Sequence, residues 1–180
     1  AKDEAESLAG VIDEIATVLA GYAVEIIVVD DGSGDGTDAV LRELGNRNKN
    51  LRHLIHQQSC GKSAAVLSGV RAAKAAVVCT LDGDGQNDPR YLPALVALAS
   101  EPGVGLAAGQ RVKHAHSLAK KIGSRVANGL RRALLNDDTR DTACGLKAFP
   151  RDVYLRLPYF DTMHRFLPAL MVRQGGRVIS

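Results

Sequence analysis

Two apolar runs in this sequence end in the same abrupt way. "VEIIVVDDGSGDGT", from Val24 to Thr37, passes through β-branched residues and then breaks into carboxylates and glycines. "AAVVCTLDGDGQNDP", from Ala75 to Pro89, repeats the transition. Each reads as a buried strand that delivers acidic groups into a loop. Carboxylates held this close raise one another's pKa unless a positive charge stands among them. Asp82 and Asp84 lie two residues apart with Gln86 two further on, so one turn can direct three oxygens at a hard divalent cation. The competing reading is a solvated turn, because Asp, Gly and Asn are turn formers.

The rest of the chain decides between them by placing both clusters in a common frame. Helical spacing over Asp3–Leu19 stops at Gly21, and a strand follows into Asp30 and Asp31. Thr37–Leu44 then reads as a helix, Leu51–His56 as a strand and Lys62–Ala73 as a helix. Ala75–Leu81 is a strand, Pro89–Ala99 a helix opened by proline, Val104–Ala108 a short strand and Ser117–Leu135 a long helix. "DTACGLKAFPRDVYLRL" predicts a strand and a short helix, and His164–Arg173 a last helix before "GGRVIS". Such alternation implies an α/β fold with a mostly parallel sheet flanked by helices. Ligands gather at the carboxyl ends of strands in such sheets, and both acidic clusters fall there.

A chain of 180 residues is one domain by length and long enough to bury a sizeable core. The net charge of +3 is small, but basic residues thicken from Arg111 to Arg132 while acids gather at Asp30–Asp38 and Asp82–Asp88. That asymmetry suits a metal with anionic groups beside it. With only four Tyr, three Phe and no Trp, a nucleic-acid partner is not expected. Cys60, Cys79 and Cys144 are odd in number and widely spaced, as reduced intracellular thiols are. No signal peptide is visible, and no apolar run reaches the roughly 18 residues that a membrane span needs.

Three motif-like stretches fail on spacing. "SCGKS" at Ser59–Ser63 has His56 where a phosphate-binding P-loop needs glycine, although Lys62 at a helix start can still approach a phosphate. "DGSGDG" at Asp31–Gly36 puts Arg42 where a calcium loop needs glutamate, and its glycines miss the dinucleotide spacing. "DGDGQNDP" puts Asn87 at the position of the calcium loop's glycine.

What remains is a resemblance. "VVDDGSGDGT", "GKSAAVLSGVRAA", "LDGDGQNDPRYLPAL" and "DTACGLKAF" occur in an order and spacing similar to family 2 glycosyltransferases, most of all the polyprenyl-phosphate branch. The resemblance implies a GT-A fold, inverting transfer from a nucleotide-sugar of the GDP-mannose or UDP-glucose type, and a polyprenyl phosphate acceptor. It implies Mg2+ or Mn2+ on Asp82, Asp84 and Gln86, with Asp84 a direct ligand. It implies nucleotide-sugar contacts from Asp30, Asp31, Lys62 and Asp82, with Asp31 favoured for the nucleotide; Asp35 or Thr37, outside that set, is favoured for a helix cap. The family usually opens with a strand, whereas this sequence opens in a helix and stops as another strand begins. The expectation is a single GT-A catalytic domain over residues 1–180, trimmed at both ends and lacking the first strand.

By the same resemblance Arg111 and Arg125 grip the acceptor phosphate, since a guanidinium fork fits phosphate oxygens better than an ammonium. Gly129 stands where relatives can offer a serine hydroxyl. Lys120, Lys121, Arg131 and Arg132 read as a solvated basic face that can also touch anionic lipid headgroups, and the resemblance implies a place on the cytoplasmic face of the cell membrane. An ionised phosphate acceptor needs no base, whereas a sugar hydroxyl does, and Asp141 is the candidate base. His164 and Arg165 are further phosphate contacts or surface groups. Two alternatives stay open: transfer to a saccharide or protein hydroxyl, and a nucleotidyltransferase with a similar acidic site.

Overall fold

The computed structural model describes residues 1–110 and 144–180. The long helix expected at Ser117–Leu135 therefore lies outside the described residues. Helix α1 covers Ala5–Val18, strand β1 Ile26–Asp30, α2 Thr37–Arg47 and β2 Leu51–Ile55. They are followed by α3 (Lys62–Ala72), β3 (Val77–Thr80), α4 (Leu92–Ala99) and β4 (Val104–Ala108). After the undescribed stretch come β5 (Lys147–Pro150), α5 (Arg151–Leu155), α6 (Leu167–Arg173) and β6 (Arg177–Ile179). The helix expected from Pro89 opens instead as a 3-10 turn, Pro89–Tyr91, because the Asp88 carboxylate accepts from the Arg90 N–H and tightens the entry.

The architecture is α/β, with helices against sheets. Strands β1 and β2 pair in parallel, in register from Ile26 opposite Leu51 to Asp30 opposite Ile55. The other four strands form a second sheet in the order β3-β5-β4-β6. The expected parallel run is broken there, since β5 lies antiparallel to both β3 and β4. The reason is geometric: Ala108 at the end of β4 stands opposite Lys147 at the start of β5, so β5 enters at the carboxyl edge and must run back.

Alternation along β4 and β5 fixes two faces. Leu106, Ala108 and Phe149 join Val70, Tyr154, Met163, Leu167 and Met171 in one apolar layer. Ala107, Leu146 and Ala148 pack on the other face with Leu92, Leu95 and Ala99 of α4. A third cluster of Leu8, Ile12, Ile26, Leu41 and Leu51 joins α1 and α2 to the two-stranded sheet. The two sheets thus present the ends of β1 and β3, with their acidic loops, towards a common region.

Candidate active site

The carboxylates after β1 are loop-builders. Asp30 is 1% exposed and accepts from the Ser33 N–H at 3.0 Å and the Ser33 hydroxyl at 2.5 Å. Asp31 Oδ1 takes His56 Nδ1 at 2.7 Å and the Cys60 N–H at 2.9 Å. Its Oδ2 takes the Ser59 hydroxyl at 2.9 Å and the Gly61 N–H at 2.8 Å. Those four donors fill the lone-pair sites of one carboxylate. Burial works to raise the Asp31 pKa, but the bonds from Cys60, His56, Gly61 and Ser59 outweigh it and hold the group at about 2. The other ring nitrogen of His56 bonds Ser68 on α3 at 2.9 Å, so Asp31 ties β2, α3 and the Ser59–Gly61 turn into one frame. Gly32, with φ +70°, lets the two loops meet, because a Cβ there would stand 2.7 Å from the Gln58 backbone.

Asp35 serves α2: its carboxylate accepts from the Thr37 N–H at 3.0 Å and the Thr37 hydroxyl at 2.6 Å. Its other oxygen accepts from the Ala5 N–H at 3.0 Å. The cap position itself falls to Gly36 in the left-handed region, not to Asp35 or Thr37, and the Asp35 carboxylate supports it by holding Thr37, the first residue of α2.

The carboxylates after β3 are less occupied. Asp84 is exposed, and among the described residues its Oδ1 accepts the Gln86 N–H alone, at 3.0 Å. Gln86 is exposed as well. Asp82 is half-buried and receives the Lys62 ammonium on Oδ1 at 2.5 Å. Behind it lies Gly145, where a Cβ would overlap the Asp82 carboxylate. Asp82 is therefore pressed between a backbone and an ammonium, and Asp84 stays open to solvent. Two hard oxygen donors and a neighbouring carboxamide, with ligand positions to spare, fit Mg2+ or Mn2+.

A different trio, Asp31, His56 and Cys60, brings three atoms of ligating type within 4.8 Å of one another. There the Asp31 oxygens and both ring nitrogens of His56 already hold hydrogen bonds, so the arrangement is a hydrogen-bonded brace.

His164 sits deeper than a surface role requires. The Ser63 hydroxyl lies 2.8 Å from His164 Nδ1 and accepts the His164 N–H at 3.3 Å. Burial, then the charges of Lys62, Arg165 and Lys147, push the imidazole down to about 4, so it is neutral near pH 7. Arg165 is exposed. Reading the sequence alone missed the roles of His56, Ser63, Gly145 and Lys147; those of His56 and Ser63 come from contacts across 25 and 101 residues. The "CGLK" stretch, already quoted as a motif, was the local signal for Gly145 and Lys147. Arg111, Arg125, Asp141 and Gly129 lie outside the described residues. The same holds for the basic face of Lys120, Lys121, Arg131 and Arg132.

A profile of the Glycosyl transferase family 2 matches residues 1–157. The chain belongs to that family. Among curated family 2 relatives, the dodecaprenyl-phosphate galacturonate synthase of Rhizobium johnstonii is 31% identical over 171 residues, 93% of this chain and 51% of the relative. The undecaprenyl-phosphate 4-deoxy-4-formamido-L-arabinose transferase of Yersinia pestis is 30% identical over 93% of this chain and 52% of its own. The chain thus spans about half the length of these curated relatives. Among solved structures, a mannosyltransferase of Pyrobaculum calidifontis in complex with GDP-Man and Mn2+ matches with a TM-score of 0.73 at 23% identity, over 100% of this chain and 52% of that one. Glucosyl-3-phosphoglycerate synthase of Mycobacterium tuberculosis matches with a TM-score of 0.78 at 23% identity, over 99% and 66%. The fold is GT-A, and this family 2 domain is a glycosyltransferase domain.

Proposed function

We propose that the domain catalyses inverting, divalent-metal-dependent transfer of a sugar from a nucleotide-sugar to a polyprenyl phosphate at the cytoplasmic membrane surface. The observation that carries this reading is the open Asp84 carboxylate beside the Lys62–Asp82 pair, all at the carboxyl end of β3. Mg2+ or Mn2+ held by Asp82, Asp84 and Gln86 would supply neutralisation of the charge that builds on the leaving diphosphate. Lys62 leads α3 and carries a mobile positive charge on the same carboxylate, from which it can turn to a diphosphate oxygen. The base and ribose dock against the loops that Asp30 and Asp31 hold, so these two carboxylates position the nucleotide site through Ser33 and the Ser59–Gly61 turn.

On the acceptor side, Arg111 and Arg125 orient a phosphate that is already ionised. A phosphate oxygen attacks the anomeric carbon as the carbon–oxygen bond to the diphosphate breaks, and the nucleoside diphosphate departs. No proton must be removed, which leaves Asp141 without a required basic role. The names of the curated relatives, both polyprenyl-phosphate transferases, support this acceptor. Among the described residues no helix is long and apolar enough to cross a membrane.

Calorimetry with GDP- and UDP-sugars, with and without Mn2+, followed by transfer to a short polyprenyl phosphate, tests the reading. Metal-dependent binding of one nucleotide class and transfer to the phosphate are expected. Transfer to saccharide hydroxyls alone would overturn the acceptor assignment.

A further inference from the structure

The loop after β3 rests on helix α1. Asp82, Asp84 and Gln86 alternate there with Gly83 and Gly85, and the two glycines lie against the helix and the residues just before it. A Cβ on Gly83 would stand 3.4 Å from the Ala1 Cβ and from Leu8 Cδ2, and 3.7 Å from Glu4 Cγ. One on Gly85, whose φ is +72°, would stand 3.8 Å from Val11 Cγ2. These are van der Waals separations, so α1 is a seat for the loop, while Asp84 and Gln86 remain exposed.

A polar contact pins the loop to that seat. The Ser7 hydroxyl lies 2.7 Å from the Gly83 carbonyl oxygen, across 76 residues of chain. The Glu4 carbonyl oxygen and Oε2 stand 3.2 and 3.1 Å from the same hydroxyl, which has one proton, and the shortest contact takes it. That bond holds the peptide between Gly83 and Asp84. The peptide is planar and rigid, so fixing its oxygen fixes the direction in which the Cα of Asp84 leaves it. Ser7 therefore acts on the relative placement of the carboxylates to either side. Helix α1 is tied in turn to the loop after β1. The Asp3 N–H donates to the Ser33 hydroxyl at 2.9 Å, and the Glu4 N–H to the Thr37 hydroxyl at 3.2 Å. Leu8 and Ile12 root the helix among Ile26, Leu41 and Leu51. A chain of contacts thus runs from Asp30 through Ser33 and α1 to the loop that carries Asp82 and Asp84.

We propose that Ser7 is a positioning residue of the metal site, holding Asp82, Asp84 and Gln86 in register with the loop after β1 through the Gly83 carbonyl. The proposal rests on the metal-dependent reading of that loop and adds to it a residue from the helix on which the loop lies. Ser7 acts through the loop backbone and not by touching the cation. A loop released from α1 presents both carboxylates together in only part of its population, and its affinity for a divalent cation falls by that fraction. A role confined to the helix predicts something else. Ser7 is the third residue of α1, where alanine is the better helix former, so removing the hydroxyl would leave the helix at least as stable and the metal site unchanged.

Calorimetric titration of Mn2+ into the full chain, alone and with GDP or UDP present, compares wild type with Ser7→Ala and Ser7→Thr. The nucleoside diphosphate is then titrated at saturating Mn2+, and thermal midpoints in chelator report on the fold. Ser7→Ala is expected to weaken Mn2+ binding about three- to tenfold, as loss of one hydrogen bond does. Its thermal midpoint in chelator should stay close to wild type, and so should its nucleotide affinity once Mn2+ saturates and orders the loop. Ser7→Thr keeps the hydroxyl and should restore Mn2+ affinity. Unchanged Mn2+ affinity in Ser7→Ala overturns the assignment, as does a loss that Ser7→Thr leaves uncorrected. A lower thermal midpoint, with nucleotide affinity reduced even at saturating Mn2+, marks general loosening of α1 and also overturns it. Failure of Mn2+ to bind wild type, with or without nucleotide, would instead strike the metal reading itself, and the role of Ser7 with it.

Discussion

The Lys62 ammonium lies 2.5 Å from Asp82 Oδ1, joining the first residue of α3 to the loop after β3. A divalent cation at Asp82 must share that oxygen with Lys62 or displace it. Lys62 thus competes with the metal in the free protein and partners the diphosphate once a donor arrives. Both side chains are partly exposed, so the pair itself is weak. Lys62→Ala should tighten Mn2+ binding about two- to fivefold and weaken nucleoside diphosphate binding about tenfold. Titration of Mn2+ alone, then of nucleotide with Mn2+ saturating, separates the effects. A fall in both affinities would show that Lys62 supports the loop instead.

Asp84 is the open carboxylate of the set. Asp84→Asn should lower metal-dependent donor affinity at least tenfold, since a hard cation loses an anionic ligand. Gln86→Ala, which removes a neutral ligand, should cost less. Donor affinity that is unchanged in chelator, or in Asp84→Asn, would remove the metal from Asp82, Asp84 and Gln86.

Asp31 has its pKa lowered from 3.8 to about 2 in the fold, so its contribution to stability is present in full above about pH 4 and is lost as pH falls through about 2. Asp31→Asn lacks that ionisation. Wild type should exceed Asp31→Asn in urea midpoint at pH 6, and the gap should close as the pH is lowered towards 2. Nucleotide affinity should fall in the variant as the Ser59–Gly61 turn loosens. A gap that stays constant with pH would show that the charge of Asp31 does not hold the turn.

Arg111 and Arg125 are proposed to act on the acceptor alone. Arg111→Ala or Arg125→Ala should spare donor binding and cut transfer to a polyprenyl phosphate about ten- to a hundredfold, the worth of one charge-assisted contact. Lysine should rescue only partly, as a point charge replaces a fork. Asp141→Asn should keep substantial activity. A dead Asp141→Asn beside active arginine variants would mean a hydroxyl acceptor.

The parts legible in the sequence were those carried by local pattern. The strand ends at Asp30 and Thr80 show because apolar, β-branched-rich runs stop at Asp-Gly clusters, and α3 shows because helical spacing begins at Lys62. The direction of β5 was not legible, since it depends on Ala108 meeting Lys147 across 39 positions of chain number. Asp31 was legible as a special residue but not in its partners: His56, Ser59, Cys60 and Gly61 come from the next strand and turn. Gly145 and Tyr154 read locally as a loop glycine and a core aromatic. Only the fold puts one behind Asp82 and leaves the hydroxyl of the other without a partner among the described residues.

The division into two sheets has a mechanical consequence. Asp31 crowns the two-stranded sheet and Asp82 the four-stranded one, each sheet with its own apolar cluster. Helix α3 packs against β1, yet its Lys62 reaches across to Asp82. A nucleotide-sugar lying over both loops would act as a clasp, so that its binding stiffens the joint between the halves and its departure as nucleoside diphosphate relaxes it. Each turnover would then load and unload that joint, across which Val70 of α3 stays packed in the apolar layer of the four-stranded sheet while the partly exposed Lys62–Asp82 pair exchanges partners.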